Sequence, residues 1–348
     1  VKRNGVFEEV SFDEAFAEIE RRLVPLRAEH GDAACGLVIG NPAVHRTGTV
    51  LYALDLAAAL GSPNVFSSAS LDQMPKHLAA GRLFGDFYSV PVPDIDRTEL
   101  LVLIGSNPMV SNGSMWTVPD FPRRAAALRE RGGRTIVIDP RRTETAERAD
   151  HHVAPWPGTD VFLLAAVVRT LLAEGLVDLG RLEPFVTGLD AVAAATAPFT
   201  IELAAQRCGL DAGTISWLAR TIAAAPSASI HGRLGTCVQP YGTAVSWLVD
   251  VIHVLTGNLD RPGGAMFATP PAFAANTQGP PGSGAGIVTG RYASKVSGAP
   301  EVMGQLPMAC LAEEIESTDP DRLRALITLA ANPALSAPDS DRTTAALE

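Results

Sequence analysis

Apolar positions in the first sixty residues switch between helical and strand spacing, and each switch marks an element. Phe12, Ala15, Phe16, Ile19 and Leu23 recur at helical spacing behind Ser11 and Glu14, which have the S-x-x-E form of a capping box. This pattern predicts a first amphipathic helix. CGLVIG, from Cys35 to Gly40, reads as a short buried strand, and Thr47 to Leu60 as a helix ended by Gly61, Ser62 and Pro63.

The alternation continues with a strand from Leu100 to Ile104 and a helix from Phe121 to Arg131 closed by Gly132 and Gly133. A strand from Thr135 to Ile138 and a helix from Thr159 to Leu172 come next. Strands that are continuous apolar runs separated by helices imply parallel sheets covered on both faces. The expected class is therefore α/β, with two doubly wound, mostly parallel, Rossmann-like domains. Alanine-rich segments from Asp190 to Ala224 read as helices, Ala228 to Ile230 as a strand, and Thr243 to Leu255 as a helix stopped by GNLDRPGG. Residues 268–300, dense in Pro, Gly, Ser and Ala without periodicity, are expected to form a long, weakly ordered loop.

One internal repeat stands out. LVLIGSNPMVS (Leu101 to Ser111) overlays LITLAANPALS (Leu326 to Ser336): an apolar strand, a small-residue turn, Asn-Pro, and a Ser three positions later. Either two buried strands share a chance likeness, or two related nucleotide-binding units occupy one chain and two cofactor halves are expected.

Composition narrows the chemistry. With 348 residues and 47% hydrophobic side chains, the chain has material for roughly two domains of about 150 residues. A formal charge of -10 argues against nucleic acid or an anionic membrane as partner, since either asks for a basic field. No apolar run approaches the roughly 18–20 residues that span a bilayer, and the first residues lack the apolar core of a signal peptide. Cys35, Cys208, Cys237 and Cys310 are scattered with no CxxC pair, so no zinc or iron-sulfur loop is encoded; free, mostly buried thiols in a reducing cytoplasm are expected.

Ligands in open parallel sheets bind outside the carboxyl ends of the strands. Gly105, Ser106 and Asn107 follow one strand end, where small residues let backbone N–H groups approach a pyrophosphate. Asp139, Pro140, Arg141, Arg142 and Thr143 follow the next, offering an acceptor for a ribose or base and guanidinium forks for phosphate, or simply a solvated face. Pro157, Gly158, Thr159 and Asp160 open a helix, where Asp160 can cap the dipole or take the N1 and N2 protons of a guanine. A nicotinamide or flavin dehydrogenase should show GxGxxG at a first strand-helix turn, and none is found.

GSNP, then IDPRRTETAERADHHVAPWPGTD, then HGRLGTCVQPYG with LTGNLDRPGG, in this order and spacing, closely resemble the molybdopterin oxidoreductases that carry a bis(molybdopterin guanine dinucleotide) centre. That family, the dimethyl sulfoxide reductase class, includes formate dehydrogenases and nitrate reductases. The resemblance implies that Gly105 to Asn112, Asp139 to Thr143 (Arg141 and Arg142 included) and Gly158, Thr159 and Asp160 bind one guanine dinucleotide. It brings the backbone around Gly232, Leu234 and Gly235 to the pterin region and assigns Asn332 to the second nucleotide. Many members have Gln-His where this sequence has Val238-Gln239.

In this family a Cys, selenocysteine, Ser or Asp binds the metal from a loop ahead of a short helix. The matching stretch is SSASLDQMPKHLAAGRLFGD, and the family's offset back from Phe84 lands on Asp72. A carboxylate is a hard ligand suited to a high-valent metal. Alternatively Asp72 caps the helix and Ser70, or no side chain, is the ligand. His77 is a candidate beside the substrate funnel or a packing histidine, while His151 and His152 read as structural.

The resemblance further implies two-electron redox of a small substrate of the formate, nitrate or sulfoxide kind at molybdenum or tungsten, with an electron-transfer partner protein or domain. A four-iron four-sulfur cluster is expected only in an N-terminal domain that this sequence lacks. The stretch is thus expected to correspond to the central domains of a longer cytoplasmic enzyme and to be inactive by itself. A non-redox hydratase and a structural relative without metal are the alternatives. For the domains, 1–66 plus 224–348 are expected to form one unit holding one pterin dinucleotide. Residues 67–223 would form the other, carrying the metal-ligand loop, with the two related by approximate two-fold symmetry and the site between them.

Overall fold

A computed structural model of the chain describes residues 1–268 and 286–348; most of the loop expected to be weakly ordered, residues 269–285, lies outside the described residues. The chain is mixed α/β and divides into two units, Val1–Leu71 with Val288–Glu348, and Asp72–Ile287.

The first unit is built on three parallel strands in the order Ala325–Leu329, Cys35–Ile39, Val65–Ser67. Thr47–Leu60 is the crossover helix between the last two, and it ends where Gly61 takes φ +64°. Val38, Phe66, Leu306, Leu311 and Leu323 form its core. The capping residue Ser11 accepts from Glu14 N at 3.2 Å, as expected, but Glu14 turns its carboxylate to Arg3 rather than back to the cap. The helix it opens, Phe12–His30, buries no residue, and Phe12 is 83% exposed.

The second unit holds four parallel strands in the order His151–Val153, Arg134–Ile138, Leu100–Ile104, Ala228–Gly232. Side chains of a strand alternate between faces, and here both faces are covered. Leu100, Val102 and Ile104 pack under Asp160–Ala173, Ala212–Ala224 and Gly242–Leu255. Leu101 and Leu103 pack against Phe121 and Leu128 of Phe121–Glu130. Burial on both sides is why the strand reads as an unbroken apolar run.

This pairing corrects the expected boundary at residue 224. Ala228–Gly232 joins Leu100–Ile104 residue for residue, Leu100 to Ala228 through Ile104 to Gly232. Residues 224–287 therefore belong with the second unit, and only 288–348 return to the first. An apolar strand carries no record of its neighbour, so the partner could not be read from the pattern. The order also places a topological switch: from Leu100–Ile104 the chain first builds outward on one side, then comes back to the other.

Ala228–Gly232 lies at the end of the sheet, and two side chains take N–H groups that a further strand would have bonded. Asn258 Oδ1 accepts from Ala228 N at 3.0 Å and His253 Nε2 from Ile230 N at 2.8 Å. An accepting Nε2 carries no proton, so His253 is neutral with its hydrogen on Nδ1. Burial pushes its pKa down. Burial, reinforced by the nearby Lys76 ammonium, pushes His231 down to about 3.

His231 stays neutral in the fold but takes a proton in the unfolded chain below 6.5, and the lowered His253 acts in the same sense. The unfolded state then binds more protons, so stability falls with pH from 6.5 toward 3. The unfolding free energy from urea titration is expected to fall between pH 7 and pH 5, with His231 contributing on the order of 1 kcal/mol per pH unit below 6.5. A His231→Phe variant should lose part of that slope; an unchanged slope would mean that His231 is not held neutral.

Candidate cofactor site

In open α/β sheets the ligand crevice lies outside the strand ends at the switch point. Here that is the gap above Ile104 and Gly232. A cavity of about 400 Å³ opens there, lined by Gly105, Ser106, Asn107, Asp139, Arg141, Thr143, Arg233, Leu234, Gly235 and Asp72, with Ser111, Ser114 and Val238. Residues expected from four separate stretches of sequence thus meet in one place within the second unit.

Two glycines hold the crevice closed at its base. Gly235 N donates to Gly105 O at 3.0 Å. A Cβ on Gly105 would stand 2.6 Å from Gly235 Cα, and one on Gly235 would stand 2.7 Å from Gly105 Cα. Gly105 also takes φ +53°. The sequence assigned Gly105 to a pyrophosphate and Gly235 to the pterin region; in the fold the two glycines let two backbones touch.

Asn107 is spent on structure. Its Oδ1 accepts from Thr145 N at 3.2 Å and Thr145 Oγ1 at 2.6 Å, while its Nδ2 donates to Glu144 Oε2 at 2.8 Å. It ties the two strand-end loops together. Asn112 closes the next turn in the left-handed region, φ 52°. Asp139 accepts from Arg141 N at 2.9 Å, and its own carbonyl meets His152 Nε2 at 2.8 Å, which gives His152 its structural role. Thr143 is buried, its hydroxyl accepting from Ala146 N at 3.1 Å. Arg141 and Arg142 keep exposed side chains.

Gly158 takes φ +76°, and Thr159 donates its hydroxyl to Trp156 O at 2.6 Å, so Asp160 becomes the first residue of its helix. Burial raises the Asp160 carboxyl; Gln239 and the Asp160 backbone N–H oppose the rise, and the Asp139 charge adds to it. Asp160 therefore neighbours the cavity electrostatically, although it does not line it. Ser106 Oγ and Gln239 Oε1 are buried without a partner among the described residues.

Asp72 sits in the turn before Met74–Phe84. It does not cap that helix, whose N-cap is Gln73. Its carboxylate pairs with Arg233, Nη2 lying 2.9 Å from each oxygen. Ser70, the alternative ligand, has its hydroxyl engaged: it donates to Ser67 O at 3.1 Å and accepts from Met308 N at 2.9 Å. His77 is buried, its Nδ1 2.8 Å from Phe87 O and its ring edge-on to Tyr88, and it is not among the residues lining the cavity. Gly232 ends its strand beneath Arg233, packed against Thr236. Arg233 and Ser114 were missed by the sequence reading. A lone arginine after a strand gives no sign that its side chain will be buried.

The internal repeat recurs in three dimensions. In the first unit the strand Ala325–Leu329 is followed by Ala330 at φ 49°, as Leu100–Ile104 is by Gly105 at φ 53°. Asn332 then heads the turn Pro333–Ser336 as Asn107 heads Pro108–Ser111, and Ser336 and Ser111 each donate to the carbonyl of that Asn. A cavity of about 560 Å³ includes Asn332, Thr328 and Arg324 in its wall.

A family profile described as molybdopterin oxidoreductase matches residues 1–348. Among curated proteins, a dimethyl sulfoxide/trimethylamine N-oxide reductase from Cereibacter sphaeroides is 32% identical over 76% of this chain and 34% of that protein. The alpha subunit of an F420-dependent formate dehydrogenase from Methanococcus maripaludis is 28% identical over 76% of this chain and 37% of that protein. Among solved structures, acetylene hydratase from Pelobacter acetylenicus superposes with a TM-score of 0.63 at 25% identity, covering 75% of this chain and 34% of that one. The chain spans between 27% and 37% of the length of the curated relatives it matches.

Two outcomes follow from this geometry. Gly105→Ala, which meets both positive φ and a backbone wall, is expected to lower unfolding stability by roughly 2–4 kcal/mol in urea titration; a neutral substitution would show that the glycine contact is not made. The raised Asp160 carboxyl binds its proton more tightly folded than unfolded, so its contribution falls as pH climbs above 3.8. Asp160→Asn should therefore make the cofactor-free protein more resistant to urea at neutral pH, and a loss of resistance would contradict the assignment.

Proposed function

The chain belongs to the molybdopterin oxidoreductase family, and from that premise we propose that it cradles two molybdopterin guanine dinucleotides around molybdenum or tungsten. The activity proposed for the whole enzyme is two-electron redox of a small substrate of the formate, nitrate or sulfoxide kind. The supporting observation is the convergence of Asp72, Gly105 to Asn107, Asp139, Arg141, Thr143 and Gly235 on one crevice.

The residues present suit such a group. Buried polar atoms in native proteins are almost always paired. Yet Ser106 Oγ, Gln239 Oε1 and two nitrogens of Arg233 are buried here without partners among the described residues. A polar ligand at the crevice would give Ser106 its partner. The small-residue backbone at Gly105 would give a pyrophosphate close approach, that around Gly232 to Gly235 would approach the pterin, and the exposed forks of Arg141 and Arg142 can take phosphate oxygens.

Asp139 and Asp160 offer acceptors to a ribose and to the N1 and N2 hydrogens of a guanine. A guanine would add two donors to those that Gln239 and the Asp160 N–H already give the buried carboxyl, favouring its charged form. Asp72 presents a hard oxygen from the cavity wall. When bound, the cofactor supplies two-electron redox between the +6 and +4 states of its metal; the protein contributes position, exclusion of water and charge. The Asn332 turn of the first unit would serve the second dinucleotide, and an electron-transfer partner protein or domain would complete the cycle.

A non-redox hydratase is the second reading, favoured by the likeness to acetylene hydratase. Turnover of a redox substrate with a dye acceptor separates the two. The first test is elemental mass spectrometry with pterin release. About two pterins per molybdenum or tungsten are expected, with an altered metal absorption edge in Asp72→Ala. Protein purified without metal and pterin would overturn the proposal in favour of a structural relative that keeps only the fold.

A further inference from the structure

Arg233 is only 4% exposed, and its main chain is pinned at the crevice. Its N–H donates to Ile104 O at 3.1 Å, and its carbonyl accepts from Thr236 N at 2.8 Å and Thr236 Oγ1 at 2.6 Å. From that fixed base one nitrogen, Nη2, makes all the side-chain contacts: 2.9 Å to Asp72 Oδ1, 2.9 Å to Oδ2 and 2.7 Å to Ser114 Oγ. Nε and Nη1 are buried with no partner among the described residues. A guanidinium carries five N–H donors, and burying it with so few of them satisfied is costly. The fold holds it there, where it grips one carboxylate.

Asp72 has no other hydrogen-bond partner among the described residues. Its side chain is 38% exposed, against 5% for that of Arg233. A carboxylate has about four lone-pair sites. A donor equidistant from both oxygens takes the inner pair and leaves an outer one on each oxygen. Asp72 can therefore be held by Arg233 and still offer an oxygen to a cation in the cavity, in the way that ligating carboxylates are oriented by hydrogen bonds from behind.

We propose that Arg233 is the positioning residue for Asp72, fixing the direction of the carboxylate and placing a positive charge directly behind it. The proposal rests on the reading of Asp72 as metal ligand. A cation there withdraws charge from the ligand oxygen, which favours the reduced metal. Arginine is needed rather than lysine because the side chain of lysine is one bond shorter, so from this fixed main chain its ammonium falls short of the place where Nη2 meets both oxygens and Ser114.

The test compares Arg233→Met, Arg233→Lys and Asp72→Asn in the metal-loaded protein by metal content, absorption-edge spectrum and midpoint potential. Arg233→Met is expected to weaken metal retention by about 10- to 100-fold. It should also change the edge spectrum in the sense that Asp72→Asn does, and move the potential to lower values. Arg233→Lys keeps the charge but not the reach to Asp72, so its potential should stay near wild type while its edge spectrum shifts. If Asp72→Asn alters the spectrum while both Arg233 variants keep the wild-type spectrum and potential, the proposal falls and the reading of Asp72 stands. If Asp72→Asn leaves the spectrum unchanged, that reading falls and the proposal with it. Should Arg233→Met fail to fold, Arg233→Lys decides: a wild-type edge spectrum in it overturns the proposal.

Discussion

The contact between Gly105 and Gly235 is the constraint on which the crevice depends. Two parallel strands leave the sheet side by side, and their loops can stay together only if neither carries a Cβ at the point of contact. With both glycines in place, Gly235 N reaches Gly105 O, and Arg233, two residues earlier, is set against Ile104 O. Everything that the crevice presents is referred to that seam. Ser106 and Asn107 extend from one side of it, Arg233 and Leu234 from the other.

Polar groups are then distributed by what each can be paired with. Asn107 satisfies itself on Thr145 and Glu144 and stiffens the rim. Arg233 is buried and pairs with Asp72, while Ser106 keeps a hydroxyl beside the opening that has no partner among the described residues. Behind the sheet, His253 and Asn258 seal the outer edge of Ala228–Gly232 with neutral groups. Unpaired polar atoms are costly in a finished core but useful in a site whose occupant supplies the missing partners. Their presence beside the crevice is the physical link between this fold and a polar, charged cofactor.

The first unit repeats the strand, the left-handed residue, the Asn-Pro turn and the serine that closes it, with Ala330 in place of Gly105. Alanine is tolerated because left-handed backbone costs a small side chain only about 1–2 kcal/mol. Gly40 is the residue that yields: a Cβ there would stand 2.0 Å from Ala330 O. The same close approach of two strand ends is thus made with the glycine on the partner loop.

The sequence by itself determined most of the local structure. Apolar runs and capping signals placed the strands and helices to within a few residues, because burial on both faces and helix termination are written in neighbouring residues. The GSNP, DPRRT and PGTD turns were legible for the same reason, and so was the repeat. Tertiary structure alone decided which strand lies beside Leu100–Ile104, and with it that residues 224–287 join the second unit. It also decided that the amphipathic first helix buries none of its residues. Above all it decided that Arg233, 161 positions from Asp72 in the chain, is buried against it. Strand partners and ion pairs form between residues far apart in sequence, and periodicity records which face of an element is apolar but not what that face, or a charged side chain beyond it, will meet.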